Sequence, residues 1–400
     1  MKYTMFQAIR PHFKILVKYI FVDSIVFKSG RVKISFSNFI PLCSLIVFVI
    51  YNIQYLMQVI ESRHNKIDVV NSLFVFLTTL MALLKQIAFN VRLTRVKRLF
   101  DTTEGQLFSP KNSEQVKILD QNEKNMARIL YYYLTAVFSS CTFYGVYPIV
   151  PWFTGQDVQL TIYFPFDVNE SPVFYFAVAY LTGLIVIQGY VNLLLDCIIA
   201  AFYSQTTVQL RLLRNNLENL VLPEDSQRNQ YTNDRNPTYY VEDSKLQEKL
   251  VQCIEHYRLI RWFLREVESV TSESVTGQLL VTAWVICMTV YKIVSSSIYS
   301  AELMSAGVYL GCVLWQLFLY CYFGTQVHVE SQFVCTSVYC CDWLAISPKI
   351  RRELLILMAS ASRPIIPFAA KIVPVSLQSY IAVSVFAFFI YVILRKTLRK

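Results

Sequence analysis

Seven long apolar stretches dominate this sequence of 400 residues and restrict the possible folds more than any other feature. Each is near the roughly 20 residues that a helix needs to cross the hydrocarbon layer of a bilayer. The stretches cover residues 37–60, 67–90, 127–150, 172–201, 270–297, 303–325 and 375–394. Only 16% of the chain is charged, which is low for a soluble domain. The pattern predicts an all-α membrane protein with seven transmembrane helices.

Lysine and arginine residues are distributed unevenly between these stretches, and the asymmetry predicts the orientation. The N-terminal segment and the connections 91–128, 202–268 and 326–373 carry 29 of them, whereas the alternate connections and the C-terminus carry six. Basic loops stay on the cytoplasmic side of a membrane. We therefore expect a cytoplasmic N-terminus and, after seven spans, an extracellular C-terminus, although the basic tail 395–400 locally opposes this assignment.

Composition and motifs argue against several classes of function. The net charge of +10 is accounted for by loops that face anionic lipid, so we expect membrane lipid and not nucleic acid as a partner. The four His lack the spacing of metal ligands, and the sequence contains no phosphate-binding glycine loop and no GxSxG or HExxH motif. We expect a protein that is not an enzyme and that uses no cofactor.

The predicted spans divide the chain into six segments. They are a cytoplasmic N-terminal segment 1–36, spans one to four in 37–201, cytoplasmic helices and a loop in 202–269, spans five and six in 270–325, a second cytoplasmic region in 326–373, and the last span with its tail in 374–400. Leucines at helical spacing, such as Leu210, Leu213 and Leu217, predict amphipathic helices that continue beyond the membrane. These extensions would pack on one another as an anchor bundle or on neighbouring subunits.

Three charged residues lie inside predicted spans, where an unpaired charge is costly. Lys85 and Asp196 lie toward the cytoplasmic ends of their spans, and Lys292 lies near the outer end of the fifth. A lysine can extend its ammonium group to the membrane surface. We interpret these residues as snorkelling lysines or as a structural pair.

The outer halves of spans two to five are rich in aromatic residues. Such residues commonly form a belt at the membrane surface, and this or a packing role is favoured for any single one. Aromatic side chains that converge from four helices would also build a concave apolar pocket with a few hydroxyl groups, the usual form of a small-molecule site. The candidate pocket residues are Phe74, Tyr144, Tyr147, Tyr175, Tyr180, Met288 and Tyr291.

Several segments resemble insect odorant receptors. The stretch YFPFDVNESPVFYFAVAYL at 163–181 is similar to the outer loop and fourth-span entry of that family, and LVQCIEHYRLIRWFLREVESV at 250–270 resembles its fifth-helix Cys/His pattern. The most specific likeness lies in 320–364, where Tyr-Cys near Phe-Gly is followed by Cys-Asp-Trp, Pro-Lys and a Leu-rich helix. Residues 374–377 match the start of the family's last helix.

The resemblance implies a subunit of an odorant-gated, non-selective cation channel. Family members assemble as tetramers around one pore, tuning subunits join a shared odorant coreceptor, and a small volatile odorant binds in the outer part of the helix bundle. The coreceptor has a much longer fourth-to-fifth loop than the polar insert at 221–243 here, so the chain is similar to a tuning subunit. The implied location is the plasma membrane of sensory neuron dendrites.

The last helix lines the pore in this family. A match by offset from Pro374 assigns Ile393, Lys396 and Thr397 to pore positions. An apolar side chain such as Ile393 suits a gate that closes by dewetting. Four ammonium groups from Lys396 would oppose cation flow, whereas a single one among coreceptor helices would be tolerated. The resemblance therefore favours a heteromeric channel.

Three other classes of membrane protein share parts of this pattern. A gustatory receptor has the same plan, but its last helix typically carries Gln-Phe where this chain has Phe386-Ala387. A G-protein-coupled receptor would have an extracellular N-terminus, and its NPxxY motif is matched here only by residues 236–240, which lie in a polar loop. A transporter would show an internal repeat, and none is obvious in the seven spans.

Overall fold

Ten α-helices and four short strands make up the described part of the chain. The computed structural model describes residues 6–22, 26–28, 31–33, 39–64, 66–146, 148–149, 152, 160, 162–166, 168, 172–221, 243–295, 301–343 and 346–398. The helices are α1 (Ile9–Tyr19), α2 (Phe39–Glu61), α3 (Lys66–Val91), α4 (Leu93–Thr103), α5 (Ser113–Val146), α6 (Val173–Glu218), α7 (Asp243–Ser295), α8 (Ala301–Tyr339), α9 (Pro348–Ala361) and α10 (Leu377–Leu398). Two antiparallel hairpins pair β1 (Val26–Lys28) with β2 (Arg31–Lys33), and β3 (Phe368–Ala369) with β4 (Val373–Pro374).

A helix covers each of the seven predicted apolar stretches. Among the described residues, α2, α5, α6, α7 and α8 are long and apolar enough to cross a membrane, and α3 joins them when it is counted with α4, to which it is bent by 70°. The seventh stretch forms α10, whose apolar segment Leu377–Phe386 is shorter. The predicted all-α architecture is confirmed.

Three helices are much longer than a membrane crossing requires. Helices α6, α7 and α8 contain 46, 53 and 39 residues. Their extensions meet at one end of the molecule, which we call the basic end because it carries the described parts of the arginine- and lysine-rich connections 91–128, 202–268 and 326–373. Leu210, Leu213 and Leu217 are buried there, so the predicted bundle of helical extensions is confirmed.

Helix α9 completes the bundle at the basic end. It begins at Pro348 after Ser347, a start that suits proline, which is well tolerated in the first turn of a helix. Ile350 and Leu354 are buried against the other helices, while the opposite face of α9 exposes Leu355. The extensions therefore pack on one another, and α9 retains an exposed apolar face.

A buried histidine holds the bundle together at the basic end. His256 Nε2 on α7 lies 2.8 Å from Gln209 Oε1 on α6. Burial lowers the pKa of His256 to about 4, so the ring is neutral near pH 7 and Nε2 donates to the amide oxygen. Gln209 in turn donates from Nε2 to the carbonyl oxygen of Phe108. The two bonds tie α7, α6 and the turn that follows α4 together.

The membrane-spanning part of the bundle contains a buried ion pair. Lys85 Nζ on α3 lies 2.5 Å from Asp196 Oδ1 on α6, and neither side chain has exposed surface. The ammonium group also donates to Asn192 Oδ1 at 2.9 Å and to Gln278 Oε1 at 3.3 Å. Its three hydrogens therefore have three acceptors. Of the two interpretations, snorkelling or a structural pair, the structure shows the pair for Lys85 and Asp196, whereas the side chain of Lys292 lies outside the described residues.

The carboxylate of Asp196 is satisfied as fully as the ammonium group. It accepts hydrogen bonds from Tyr320 and Gln316 on α8. Gln278 on α7 donates to Gln316 Oε1 at 2.9 Å. We call these residues the polar network, which consists of Lys85, Asn192, Asp196, Gln278, Gln316 and Tyr320. It joins α3, α6, α7 and α8 at one level of the bundle.

We predict that neutralising either charge destabilises the protein strongly. Asp196→Asn or Lys85→Met leaves the other charge buried without its counter-ion, which costs about 3–5 kcal/mol. The double variant Lys85→Met/Asp196→Leu buries no charge and should recover part of this loss. Thermal unfolding of the detergent-solubilised protein, monitored by size-exclusion chromatography, measures these changes in stability.

The exposed ion pair between Lys124 and Asp120 is the matched control. Its Nζ and Oδ2 atoms lie 2.6 Å apart, but both side chains are more than half exposed. Such pairs contribute less than about 1 kcal/mol, so Lys124→Met should leave the unfolding temperature almost unchanged. Equal losses for Lys85→Met and Lys124→Met would contradict the structural role of the buried pair.

Gly324 allows the start of α10 to approach α8. A Cβ atom at this position would overlap the carbonyl oxygen of Val375, which is backbone and cannot rotate away. Beside it, the Leu377 amide donates to Thr325 Oγ1 at 2.9 Å. The hairpin of β3 and β4 precedes this contact, and α10 begins three residues after the hairpin ends.

We predict that Gly324→Ala displaces the start of α10 and destabilises the protein by about 1–3 kcal/mol, the usual cost of overpacking. The matched control is Gly311→Ala on the same helix, where no atom lies within 4 Å of the added Cβ. That control should be neutral or stabilising by up to about 1 kcal/mol, because alanine favours helix more than glycine does. Unfolding temperature and surface expression report both effects, and similar behaviour of the two variants would refute the prediction.

Candidate ligand-binding site

A second apolar cluster lies at the end of the bundle opposite the basic end. It is separate from the main core. We call it the aromatic cluster, and its buried members are Tyr51, Tyr55, Val75, Leu160, Ile162, Phe174, Ala177, Val178 and Leu181. Helices α2, α3 and α6 contribute to it, together with the connection between α5 and α6. Side chains from separate parts of the chain thus converge at one place.

Two tyrosines on α2 place hydroxyl groups inside this apolar region. Tyr51 and Tyr55 lie one turn apart and are fully buried. Their rings meet edge to face with centroids 4.9 Å apart, and their hydroxyl oxygens are 3.1 Å apart. The sequence interpretation missed both residues because it considered spans two to five. Their spacing of four, which places both on one helix face, was the available signal.

The connection between α5 and α6 covers the cluster. Trp152 stacks on Phe174 with centroids 4.9 Å apart and planes inclined by only 9°. Trp152 also meets the edge of Tyr175 at 5.2 Å. Farther along, Phe164 packs against the cluster and lies 6.1 Å from the ring of Tyr180. Aromatic contacts therefore hold the described part of this connection against α6.

Further hydroxyl groups border the cluster on α3 and α8. Thr78 donates to the carbonyl oxygen of Val75 at 2.8 Å. Tyr309 makes a side-chain hydrogen bond with Thr78. These hydroxyl groups are neutral. Together with the aromatic rings they suit a neutral, largely apolar ligand with one or two polar atoms.

Three of the predicted pocket residues lie around this cluster. Tyr144 on α5 is partly buried against it. Tyr175 and Tyr180 on α6 are exposed on their outer sides, and Tyr180 donates to Gln54 Oε1 at 3.0 Å. Met288 on α7 is half-buried and is not among the described residues that pack on the cluster.

The other predicted site residues have side chains outside the described residues. They are Phe74, Tyr147 and Tyr291 of the pocket and Ile393, Lys396 and Thr397 of the pore. The backbone of α10 contains all three pore positions. The described part of α10 packs on α8 through Tyr380 and Phe318 and exposes Ile381 and Phe386 on its other side.

Comparison with known proteins identifies the family. Residues 65–388 match the sequence pattern of the family described as 7tm Odorant receptor, which is most of the chain. The chain belongs to the odorant receptor family. This membership confirms the resemblance found in the sequence and decides against the gustatory alternative. It also confirms that the receptor is not an enzyme, because the members of the family are receptors.

The sequence identity to individual odorant receptors is low, and the matched share of the chain differs between them. Odorant receptors 2a and 82a of Drosophila melanogaster are 26% and 22% identical over 39% and 53% of the receptor. The matches span only 40% and 50% of the lengths of those two relatives. Odorant receptor 23a of the same species is 24% identical over 78% of each chain.

The fold is shared with a solved insect olfactory receptor. The structure of OR5 from Machilis hrabei in complex with eugenol superposes with a TM-score of 0.80 over 97% of each chain, at 14% identity. The structure of the same protein described without eugenol gives a TM-score of 0.74. At this identity the likeness concerns the fold alone, and it supports the seven-helix plan.

We predict that Phe174→Ala destabilises the receptor by about 3–5 kcal/mol, because it removes a buried ring and leaves a cavity under Trp152. Phe176→Ala, two residues along the same helix, is the matched control. Its ring is 73% exposed, so little should change. Unfolding temperatures in detergent compare the two, and equal values would show that the stack of Trp152 on Phe174 does not stabilise the cluster.

Proposed function

We propose that the receptor is a tuning subunit of an odorant-gated, non-selective cation channel that assembles with the odorant coreceptor, as a tetramer. The observation that carries this proposal is the aromatic cluster, where buried rings from α2 and α6, the apolar Val75 of α3 and a covering connection surround neutral hydroxyl groups. Such a region has the composition of a small-molecule site. Membership in the odorant receptor family supplies the class of ligand.

The proposed orientation places the basic end in the cytoplasm and the aromatic cluster toward the outside of the cell. It rests on the 29 lysines and arginines of the N-terminal segment and the basic connections, against six on the opposite side. A volatile molecule that arrives from outside then meets the cluster first. The C-terminus of α10 is extracellular in this arrangement, and the receptor lies in the plasma membrane of a sensory dendrite.

The proposed ligand is neutral and lipophilic with a single hydrogen-bonding group. Apolar burial, at about 25 cal/mol per Å², would supply most of its affinity, and a hydroxyl of Tyr51 or Tyr55 would orient it. Eugenol, which is present in the structure of OR5 from Machilis hrabei, is likewise neutral and lipophilic. The proposed lining combines these two tyrosines and Phe174 with the residues selected from the sequence, namely Phe74, Tyr144, Tyr147, Tyr175, Tyr180, Met288 and Tyr291.

Helix α10 is proposed to line the pore. It lies at the edge of the bundle, packs on α7 and α8 and exposes apolar residues such as Ile381 and Phe386 on its other side. Ile393 would form an apolar gate, with Lys396 and Thr397 near the outer mouth. A single Lys396 in a ring of coreceptor helices permits cation flow more readily than four, which supports a heteromeric assembly.

The test is whole-cell current in cells that express the receptor with and without the coreceptor, over a panel of neutral and charged volatiles. We expect inward current only with both chains and only for neutral compounds. Phe174→Ala should shift the half-maximal concentration at least about tenfold, since about 1.4 kcal/mol corresponds to a factor of ten, while Phe176→Ala should not. Current from this chain alone would refute the tuning role, and G-protein signalling without current would refute the channel.

A further inference from the structure

Helix α1 has an uneven distribution of charge that the proposed channel function does not explain. Its sequence, IRPHFKILVKY, contains three lysines and arginines and no acidic residue. Ile9, Phe13 and Leu16 are buried on one side, where Phe13 stacks on Phe100 of α4 with centroids 4.4 Å apart. On the other side of the helix, no side chain is buried among the described residues.

Contacts on both flanks place α1 at the boundary between the spans and the basic end. On one flank, His12 Nδ1 lies 2.8 Å from the hydroxyl of Tyr190, a residue within the span 172–201. On the other flank, Arg10 forms an ion pair with Glu104, which follows α4 at the basic end. One flank of the helix therefore faces the membrane interior and the other faces the aqueous side.

Just beyond the end of α1, a further bond fixes its depth. The amide of Val22 donates to Asn90 Oδ1 at 2.9 Å. Asn90 lies at the end of the predicted span 67–90 and two residues before the bend into α4. The C-terminal end of α1 is thus held at the level where α3 leaves the membrane.

On the exposed side of α1, apolar residues lie toward the membrane flank and basic residues lie toward the aqueous flank. Ile15 and Tyr19, one turn apart, are 44% and 41% exposed. With about 100° per residue, they lie beside His12 on the membrane flank. Lys14 and Lys18 are exposed and extend from backbone positions toward the flank of Arg10, and the ammonium group of Lys18 lies 5.0 Å from the centroid of the Tyr19 ring. Apolar residues on one edge and basic residues on the other are typical of a helix that lies in a membrane surface.

The acidic groups near α1 bind partners other than Lys14 and Lys18. Glu104 pairs with Arg10. Glu123 accepts the backbone amides of Phe6 and Gln7 at 2.7 and 3.1 Å, at the far end of the helix. Within the described part of the chain, Lys14 and Lys18 form no ion pair. The exposed side of α1 is therefore positively charged and complements an anionic surface.

We infer that the exposed side of α1 binds anionic phospholipid headgroups of the leaflet at the basic end. Ile15 and Tyr19 enter the boundary between headgroups and acyl chains, and Lys14 and Lys18 pair with headgroup phosphate or carboxylate groups. Each lysine near an anionic surface contributes a factor of about five in binding. Because α1 packs on α4 and hydrogen-bonds to α6, bound lipid also stabilises this part of the receptor.

Hydrogen exchange of the full-length receptor in nanodiscs tests this inference. One preparation contains phosphatidylcholine alone, and the other contains about 30% phosphatidylserine, the kind of anionic lipid that attracts basic segments. We expect amides of α1 to exchange at least about threefold more slowly with phosphatidylserine. The variant Lys14→Gln/Lys18→Gln should lose this difference.

The matched control is Lys117→Gln/Lys349→Gln, which removes two exposed lysines elsewhere at the basic end and should retain the difference. Exchange within α6 reports folding in every variant and should not depend on lipid. Equal exchange of α1 in the two lipids would overturn the inference, as would a lipid effect that survives Lys14→Gln/Lys18→Gln. Protection of α1 that requires the coreceptor and ignores the lipid would instead identify a protein partner and also overturn it.

Discussion

The ion pair between Lys85 and Asp196 is the constraint on which the arrangement of the helices depends. Helices in a bilayer gain little from the hydrophobic effect when they associate, because lipid is as apolar as their side chains. Two opposite charges without exposed surface can be buried there only if they are paired and hydrogen-bonded to further polar groups. The polar network meets this requirement, and in doing so it determines the register of α3, α6, α7 and α8.

Different forces act on the two sides of this network. At the basic end, long helices bury leucines from water, so the hydrophobic effect itself stabilises the bundle. At the opposite end, stacked and edge-to-face rings form the aromatic cluster beneath the connection from α5 to α6. The candidate site therefore lies where packing is held by aromatic contacts and a few neutral hydrogen bonds.

Helix α8 connects these regions to α10. Gln316, Tyr320 and Gly324 recur at a spacing of four, so they lie along one face of that helix. The first two belong to the polar network, and the third receives the start of α10 at Val375. The same face of α8 therefore carries both the polar network and the close backbone contact with the start of the proposed pore helix.

The amino-acid sequence alone determined the seven apolar stretches, the helical extensions and the family, because hydrophobic periodicity and local motifs are written along the chain. It also singled out Lys85 and Asp196 as charges that snorkel or form a structural pair, but it did not decide between these possibilities, since the two residues lie 111 positions apart. Only the tertiary structure decided that Tyr51, Tyr55 and Trp152 meet at the cluster and that Met288 lies apart from it among the described residues. Which side chains share a site depends on the rotation and crossing of separate helices, and the periodicity of one helix carries no information about its neighbours.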